Sequence, residues 1–232
     1  NACNRSYRPN ISFSAFFILN EANAIVIRHD IPDQHYRDLA KTYTASLAYM
    51  DRCAATVISQ NTLITAGHCV SINNKYPIQI THLGIKYPVE EIIMPPNTEQ
   101  FSDTDIALLK LKWPLRNAKP VAVYGQKDEL GQKIYIIGKG LTGNGISGEK
   151  VKDGLERAAS NVISSVDKNW LNFTFDKPPK ATELEGVSGS EDSGGPAFMI
   201  TDQGLALVGV SCCQMPIVIQ GEGERQGGYL ST

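Results

Sequence analysis

Residues 190–196 read Ser190-Glu191-Asp192-Ser193-Gly194-Gly195-Pro196, a serine embedded in a stretch too rich in glycine and proline for the interior of a helix or strand. Gly194 and Gly195 admit tight dihedrals and close approach of another backbone, and Pro196 fixes the exit into the apolar run Ala197-Phe198-Met199-Ile200. The pattern presents a serine at the surface. A serine hydroxyl is a poor nucleophile at neutral pH, so chemistry there requires a histidine base and a carboxylate to orient it. The search for those two residues decides how the remainder of the chain is read.

The chain has 232 residues, 42% hydrophobic and 20% charged, enough to bury a substantial core and too apolar for compositional disorder. Short Val/Ile/Thr/Tyr runs separated by Gly, Pro and Asn predict an all-β protein with few helices. The formal charge of −2 comes without a basic cluster or an interleaved aromatic platform, so nucleic acid is not expected as a partner. No apolar stretch reaches the roughly 18 residues needed to cross a bilayer. Five cysteines, Cys3, Cys53, Cys69, Cys212 and Cys213, form no C-x-x-C pair of the kind that builds a zinc site, and neither a metal nor a cofactor is expected.

Residues 1–24 carry Arg5 and Arg8, then the apolar centre Ile11 to Leu19, then Ala22-Asn23-Ala24. This is the order of a leader with an A-x-A cleavage site, and it predicts export to the periplasm or the cell exterior; an N-terminal strand is the other reading. Residues 33–49 read as partly helical and then, from Thr44 to Tyr49, as an alternating strand. Cys53-Ala-Ala-Thr-Val-Ile-Ser, a turn at Gln60-Asn61, and Thr62-Leu-Ile-Thr-Ala-Gly-His68-Cys69 read as a β-hairpin that its two cysteines could staple. One such bond fits an oxidising compartment. His35 and His82 lie outside any motif and are expected at the surface.

The run Thr65-Ala66-Gly67-His68-Cys69 resembles the histidine motif of the chymotrypsin/trypsin-like serine proteases, and Cys53 stands where that family's hairpin disulfide partner belongs. Downstream, Asp105 heads the apolar strand Ile106-Ala107-Leu108-Leu109-Lys110-Leu111 and matches the family's triad acid, while Asp103 is expected to face solvent. The order His68, Asp105, Ser193 is the family's order and differs from that of subtilisins and α/β-hydrolases. Ile136 to Gly140 resembles the strand that opens the second barrel, and Leu207 to Ser211 the strand beside the substrate.

What the resemblance implies is two packed six-stranded antiparallel barrels, roughly residues 40–125 and 126–232 of a protease domain spanning 25–232, with the active site in the cleft between them. His68, Asp105 and Ser193 would be the catalytic triad of a serine endopeptidase acting on protein or peptide substrates. The backbone N–H groups of Glu191 and Ser193 would form the oxyanion hole. An ungapped count places Val187 at the base of the primary pocket, with Ser211, Cys213 and Gly227 along its walls, and implies an uncharged side chain at the cleaved residue. A shift of two residues would put Glu185 there instead and favour Lys or Arg.

Four departures qualify the resemblance. Glu191 replaces the family's glycine, which opens a rival reading as a latent or inactive protease-like binding or regulatory protein. Asp192 matches the residue that pairs with a freed N-terminal ammonium, yet no Ile-Val-Gly-Gly activation sequence occurs; the counterpart would be an amine at Ile25 or the side chain of Arg28 or His29. Cys212-Cys213 replaces groove residues, and a bond to Cys3, a vicinal disulfide and two thiols all remain open. Relatives continue into a C-terminal helix where this sequence stops at Thr232, so that helix is expected to be either missing or trimmed.

Overall fold

The computed structural model describes residues 25–72, 78–215 and 226–231. The leader expectation for residues 1–24 and the side chain of Cys213 lie outside what it describes. In its first half the elements are β1 (Val26–Ile27), α1 (Asp33–Ala40), β2 (Leu47–Tyr49), β3 (Ala54–Val57), β4 (Thr62–Thr65), α2 (Gly67–Ile72), β5 (Gln79–His82), β6 (Ile85–Ile93) and β7 (Ala107–Leu111). The second half contains β8 (Ala122–Val123), β9 (Lys133–Gly138), β10 (Thr142–Asn144), β11 (Gly148–Val151), β12 (Arg157–Val162), β13 (Ser165–Asp167) and β14 (Trp170–Thr174). It ends with β15 (Gly186–Val187), β16 (Pro196–Thr201), β17 (Gly204–Met215) and β18 (Gln226–Ser231).

The first barrel closes in the order β2-β3-β4-β7-β6-β5. Period-two alternation sets which side chains fill it. On β7, Ala107, Leu109 and Leu111 point inward, while Lys110 points out and pairs with Glu91 on β6 at 2.8 Å. Leu63 on β4 lies opposite Leu109, so the two inward rows coincide and the register is fixed by burial. The same alternation on β5 buries His82 with Ile80, contrary to the surface position expected of it. Its Nδ1 lies 2.7 Å from the Leu47 carbonyl oxygen, which supplies the partner a buried imidazole needs.

The second barrel is built from β12-β9-β16-β17-β18-β14, with β13 extending the sheet beyond β14 and β8 beside β17. Its two ends are drawn together by Asn161 on β12, whose Nδ2 donates to the Thr174 carbonyl at the end of β14 (2.8 Å) and to the Gly186 carbonyl (2.9 Å). Gly227 to Leu230 lie within β18 and pair with both β14 and β17. A small third sheet, β11-β10-β1-β15, fixes the chain entry: Val26 pairs with Gly143 in parallel and with Val187 in antiparallel sense.

Local chemistry explains two differences from the sequence reading. Residues 44–46 form a 3-10 turn rather than the start of a strand, because the Ser46 hydroxyl donates to the Lys119 carbonyl (2.7 Å) and the Thr44 hydroxyl back-bonds to the Ala40 carbonyl (3.1 Å). The arm of the cysteine hairpin ends at Thr65, and Gly67 to Ile72 turn into the short helix α2, so His68 sits on a helix immediately after a strand.

Candidate functional site

Gly67 is required where it stands: a Cβ there would lie 2.6 Å from Thr98 Cγ2 and 3.1 Å from Asp105 Oδ1. Its absence lets the Asp105 carboxylate approach the start of α2. Asp105 Oδ1 accepts the His68 amide at 2.7 Å, and Oδ2 lies 2.7 Å from His68 Nδ1. Oδ2 also accepts the Phe101 amide at 2.8 Å and the Cys212 thiol at 3.1 Å. Burial alone would raise the Asp105 pKa, but the hydrogen bonds from His68, the Phe101 amide and Cys212 override it and hold the carboxyl below its ordinary value. An ionised Asp105 fixes the imidazole proton on Nδ1, leaving Nε2 as an acceptor. Asp103 is exposed, as expected.

Ser193 and Gly194 are anchored through their backbones to the strands that lead into His68. The Ser193 carbonyl accepts the Ala54 amide at 2.8 Å, beside the Cys53–Cys69 disulfide. Gly194 adopts φ +78°, and a Cβ on it would fall 2.1 Å from Thr65 Oγ1, 2.2 Å from the Ala54 carbonyl oxygen and 3.1 Å from the Ala66 amide. The serine turn is therefore seated directly on the segment that leads into His68, and only glycine allows that contact. In the turn, the amides of Asp192, Gly194 and Gly195 donate to Gly189, Ser211 and Asp192 carbonyls. Among the described residues, those of Ser190, Glu191 and Ser193 donate to no protein acceptor. Two of these three, Glu191 and Ser193, are the ones the family resemblance assigns to an oxyanion.

Glu191 has φ +69°, in the left-handed region that glycine occupies freely. Its carboxylate is held by Lys152 Nζ at 2.5 Å and by Arg52 Nε at 3.4 Å. These contacts span a cleft of about 600 Å³ lined by Tyr49, Met50, Cys53, Lys139 and Glu191 among others, on the side of the serine turn nearest the disulfide.

Asp192 is buried, and its carboxylate accepts the amides of Gly140 (3.1 Å) and Gly189 (3.0 Å). Arg28 does not serve it. Its guanidinium is committed to Asp30 at 2.5 Å and to the Thr182 carbonyl at 3.2 Å, and His29 is exposed, so both side-chain counterparts expected from sequence are set aside. Ile25, by contrast, is buried, with its carbonyl accepting the Thr142 hydroxyl at 3.4 Å.

Among the pocket residues, Val187 is buried on β15 against Val26. Ser211 is buried with its amide and carbonyl bonded to Gly195 and Gly194. Cys213 and Gly227 occupy β17 and β18, where Cys213 pairs with Gly228 and Gly227 with Gln214. Glu185 is no pocket base: its buried carboxylate accepts the Thr182 amide and hydroxyl and the Asp176 amide. Burial nonetheless keeps its pKa raised.

Sequence reasoning missed two residues. Cys212 was read as a groove residue, yet a bulge between Ser211 and Cys213 turns its thiol onto Asp105. Phe101, at φ +62°, gives its amide to Asp105 and sets its ring 5.2 Å from that of His68. No sequence signal marks Phe101; for Cys212 the only hint is its position after the strand that pairs with the serine turn.

The chain is 28% identical to a thrombin-like enzyme, BjussuSP-1, of Bothrops jararacussu over 78% of its own length and 81% of the relative's. It is 25% identical to the platelet-aggregating proteinase PA-BJ of Bothrops jararaca, again over 78% and 81%. With trypsin-1 of Astacus astacus it shares 30% identity over 68% of its length and 75% of the relative's. The family model described as Trypsin matches residues 31–221, and the chain belongs to that family.

Proposed function

We propose that the protein is a serine endopeptidase that cleaves peptide bonds through an acyl-enzyme. Ser193 attacks the scissile carbonyl, and His68 takes the hydroxyl proton on Nε2 and later passes it to the leaving amine. Asp105 holds the tautomer and stabilises the imidazolium, and the Glu191 and Ser193 amides bind the oxyanion. The observation that carries this reading is a His68 oriented by Asp105 together with a serine turn, seated on the segment leading into His68, in which the Glu191 and Ser193 amides are left uncommitted. The rival, a protease-like binding protein disabled by Glu191, is weakened by φ +69° at that residue, since the backbone already occupies the region glycine would use.

The primary pocket is read as preferring an uncharged side chain, which the internal commitment of the Glu185 carboxylate supports. The Cys53–Cys69 disulfide supports action in an oxidising compartment, secreted or periplasmic. An amine freed at Ile25 would pair with Asp192, and the burial of both residues near β10 supports that arrangement. Sequencing of the N-terminus of active protein should then give Ile25 first.

A fluorophosphonate probe tests the central claim. It should label Ser193, fail to label Ser193→Ala and react far more slowly with His68→Ala. Absence of labelling in a chain shown to begin at Ile25, across neutral and mildly alkaline pH, would transfer the assignment to the rival.

A further inference from the structure

Cys212 places a thiol, a carboxylate and an imidazole around one point. The Cys212 sulfur lies 3.1 Å from Asp105 Oδ2, which in turn lies 2.7 Å from His68 Nδ1. One ligand atom from each of the three residues falls within 4.8 Å of the other two, and all three residues are buried. Sulfur, imidazole nitrogen and carboxylate oxygen are the donor set that zinc and cadmium take, at about 2.0–2.3 Å from the metal. Tetrahedral ligands at those lengths stand roughly 3.3–3.6 Å apart, so the two separations from the Asp105 oxygen need to open by only about half an ångström, with sulfur and imidazole nitrogen already within 4.8 Å of each other. The second cysteine-rich group around His68, Cys53 with Cys69, offers no thiolate because its sulfurs are bonded to each other.

We propose that His68, Asp105 and Cys212 form an inhibitory binding site for a thiophilic divalent cation such as Zn²⁺ or Cd²⁺. The ion takes the space now filled by two hydrogens directed at Asp105, the Nδ1–H and the S–H. On binding, the thiol proton passes to solvent, and the imidazole proton moves from Nδ1 to Nε2 as Nδ1 donates its electron pair to the metal. No electron is transferred. The imidazole then presents N–H rather than a lone pair to Ser193, and the hydroxyl has no base. The loss falls on kcat, because the ion sits behind the histidine rather than among the pocket residues. Phe101, whose ring packs on His68, is 54% exposed as a residue and lies between this group and solvent on one side.

Cation binding does not depend on turnover; the inhibitory consequence rests on the peptidase reading. The test is therefore spectroscopic first. Disulfide-intact protein is titrated with Cd²⁺ in reductant-free buffer while thiolate-to-metal charge-transfer absorption is followed, and fluorophosphonate labelling is measured in parallel. One equivalent of Cd²⁺ should produce the band, raise the melting temperature and suppress labelling in proportion. Cys212→Ser should abolish the band, and because removing even an outer partner of a metal ligand costs ~10–100-fold in affinity, it should raise the Cd²⁺ concentration that half-suppresses labelling at least about tenfold. His68→Ala should weaken binding likewise, and Cys212→Ala serves if the serine variant does not fold. A Cys213→Ser control should keep the band. A band that survives in both Cys212 variants, or is lost in Cys213→Ser alone, overturns the site; so does Cd²⁺ that suppresses labelling without any band. A band without suppression in labelling-competent protein overturns the inhibition. A band in a protein that never labels keeps the site and removes the peptidase assignment instead.

Discussion

Replacing Glu191 by glycine separates the two readings of the oxyanion turn, and the contacts set the size of the effect. A non-glycine residue in the left-handed region costs about 1–2 kcal/mol, which the substitution relieves at φ +69°. Against this stand the extra freedom of glycine in the unfolded chain, roughly 0.5–1 kcal/mol, and two ion pairs. Arg52 and Lys152 are 59% and 48% exposed, so each pair is worth about 0–1 kcal/mol after solvent screening. These contributions nearly cancel. Glu191→Gly should leave stability within about 1 kcal/mol of the parent, a shift of roughly 2–4 °C in Tm for a domain of this size. Because the backbone already occupies the glycine region, fluorophosphonate labelling should stay within about tenfold, or ~1.4 kcal/mol of barrier. Glu191→Val, β-branched at the same φ and without the ion pairs, should lose about 2 kcal/mol and most of its labelling. Calorimetry and labelling kinetics on both variants decide the matter. A gain in labelling above about 100-fold for Glu191→Gly would show that the glutamate blocks the hole, and a loss of that size that the ion pairs assemble it; either refutes the reasoning.

Opening the Cys53–Cys69 bond by paired serine substitution should cost about 3 kcal/mol, as loops of ~15 residues do, measurable by urea unfolding. Asp105 has its pKa depressed in the fold, so its charged form stabilises the protein above the ordinary carboxylate value. That contribution is lost as pH falls through the lower folded value, and Asp105→Asn should flatten the acid limb of stability below pH ~4. Arg157, whose side chain is 5% exposed, bonds Asp33 and Asp153 and so ties α1 to β12; Arg157→Ala should cost about 2–3 kcal/mol, and a double-mutant cycle with Asp33→Asn should show coupling. His82→Ala should cost roughly 1–3 kcal/mol, read by thermal melting, by emptying a buried site and leaving the Leu47 carbonyl without its imidazole partner.

What the sequence made legible follows from the range of the interactions involved. His68, Asp105 and Ser193 are each announced by neighbours that their chemistry requires within a few residues: Gly67 for the approach of Asp105, Gly194 for the seat on Thr65. The apolar run of β7 and the arms of the cysteine hairpin were likewise legible, because strand composition and turn residues are local signals. The failures share the opposite cause. The inward position of His82 depends on the register of β5, which the chain between Cys69 and Gln79 does not reveal, and a shift of one residue would have left it in solvent. Commitment of Arg28 to Asp30 and Thr182 depends on a contact 154 positions away in the sequence. Cys212 is the sharpest case: adjacent to Ser211, which was read as part of the strand beside the substrate, it reaches Asp105 where one bulge shifts the register of β17 against β18. Sequence motifs therefore singled out His68, Asp105 and Ser193, whereas the groups packed around them, Cys212 and Phe101 on the acid and Glu191 on the turn, were set by register and by backbone dihedrals. It follows that substitutions at these three positions test the three-dimensional arrangement itself, since the motif residues alone predict the same triad whichever way they are filled.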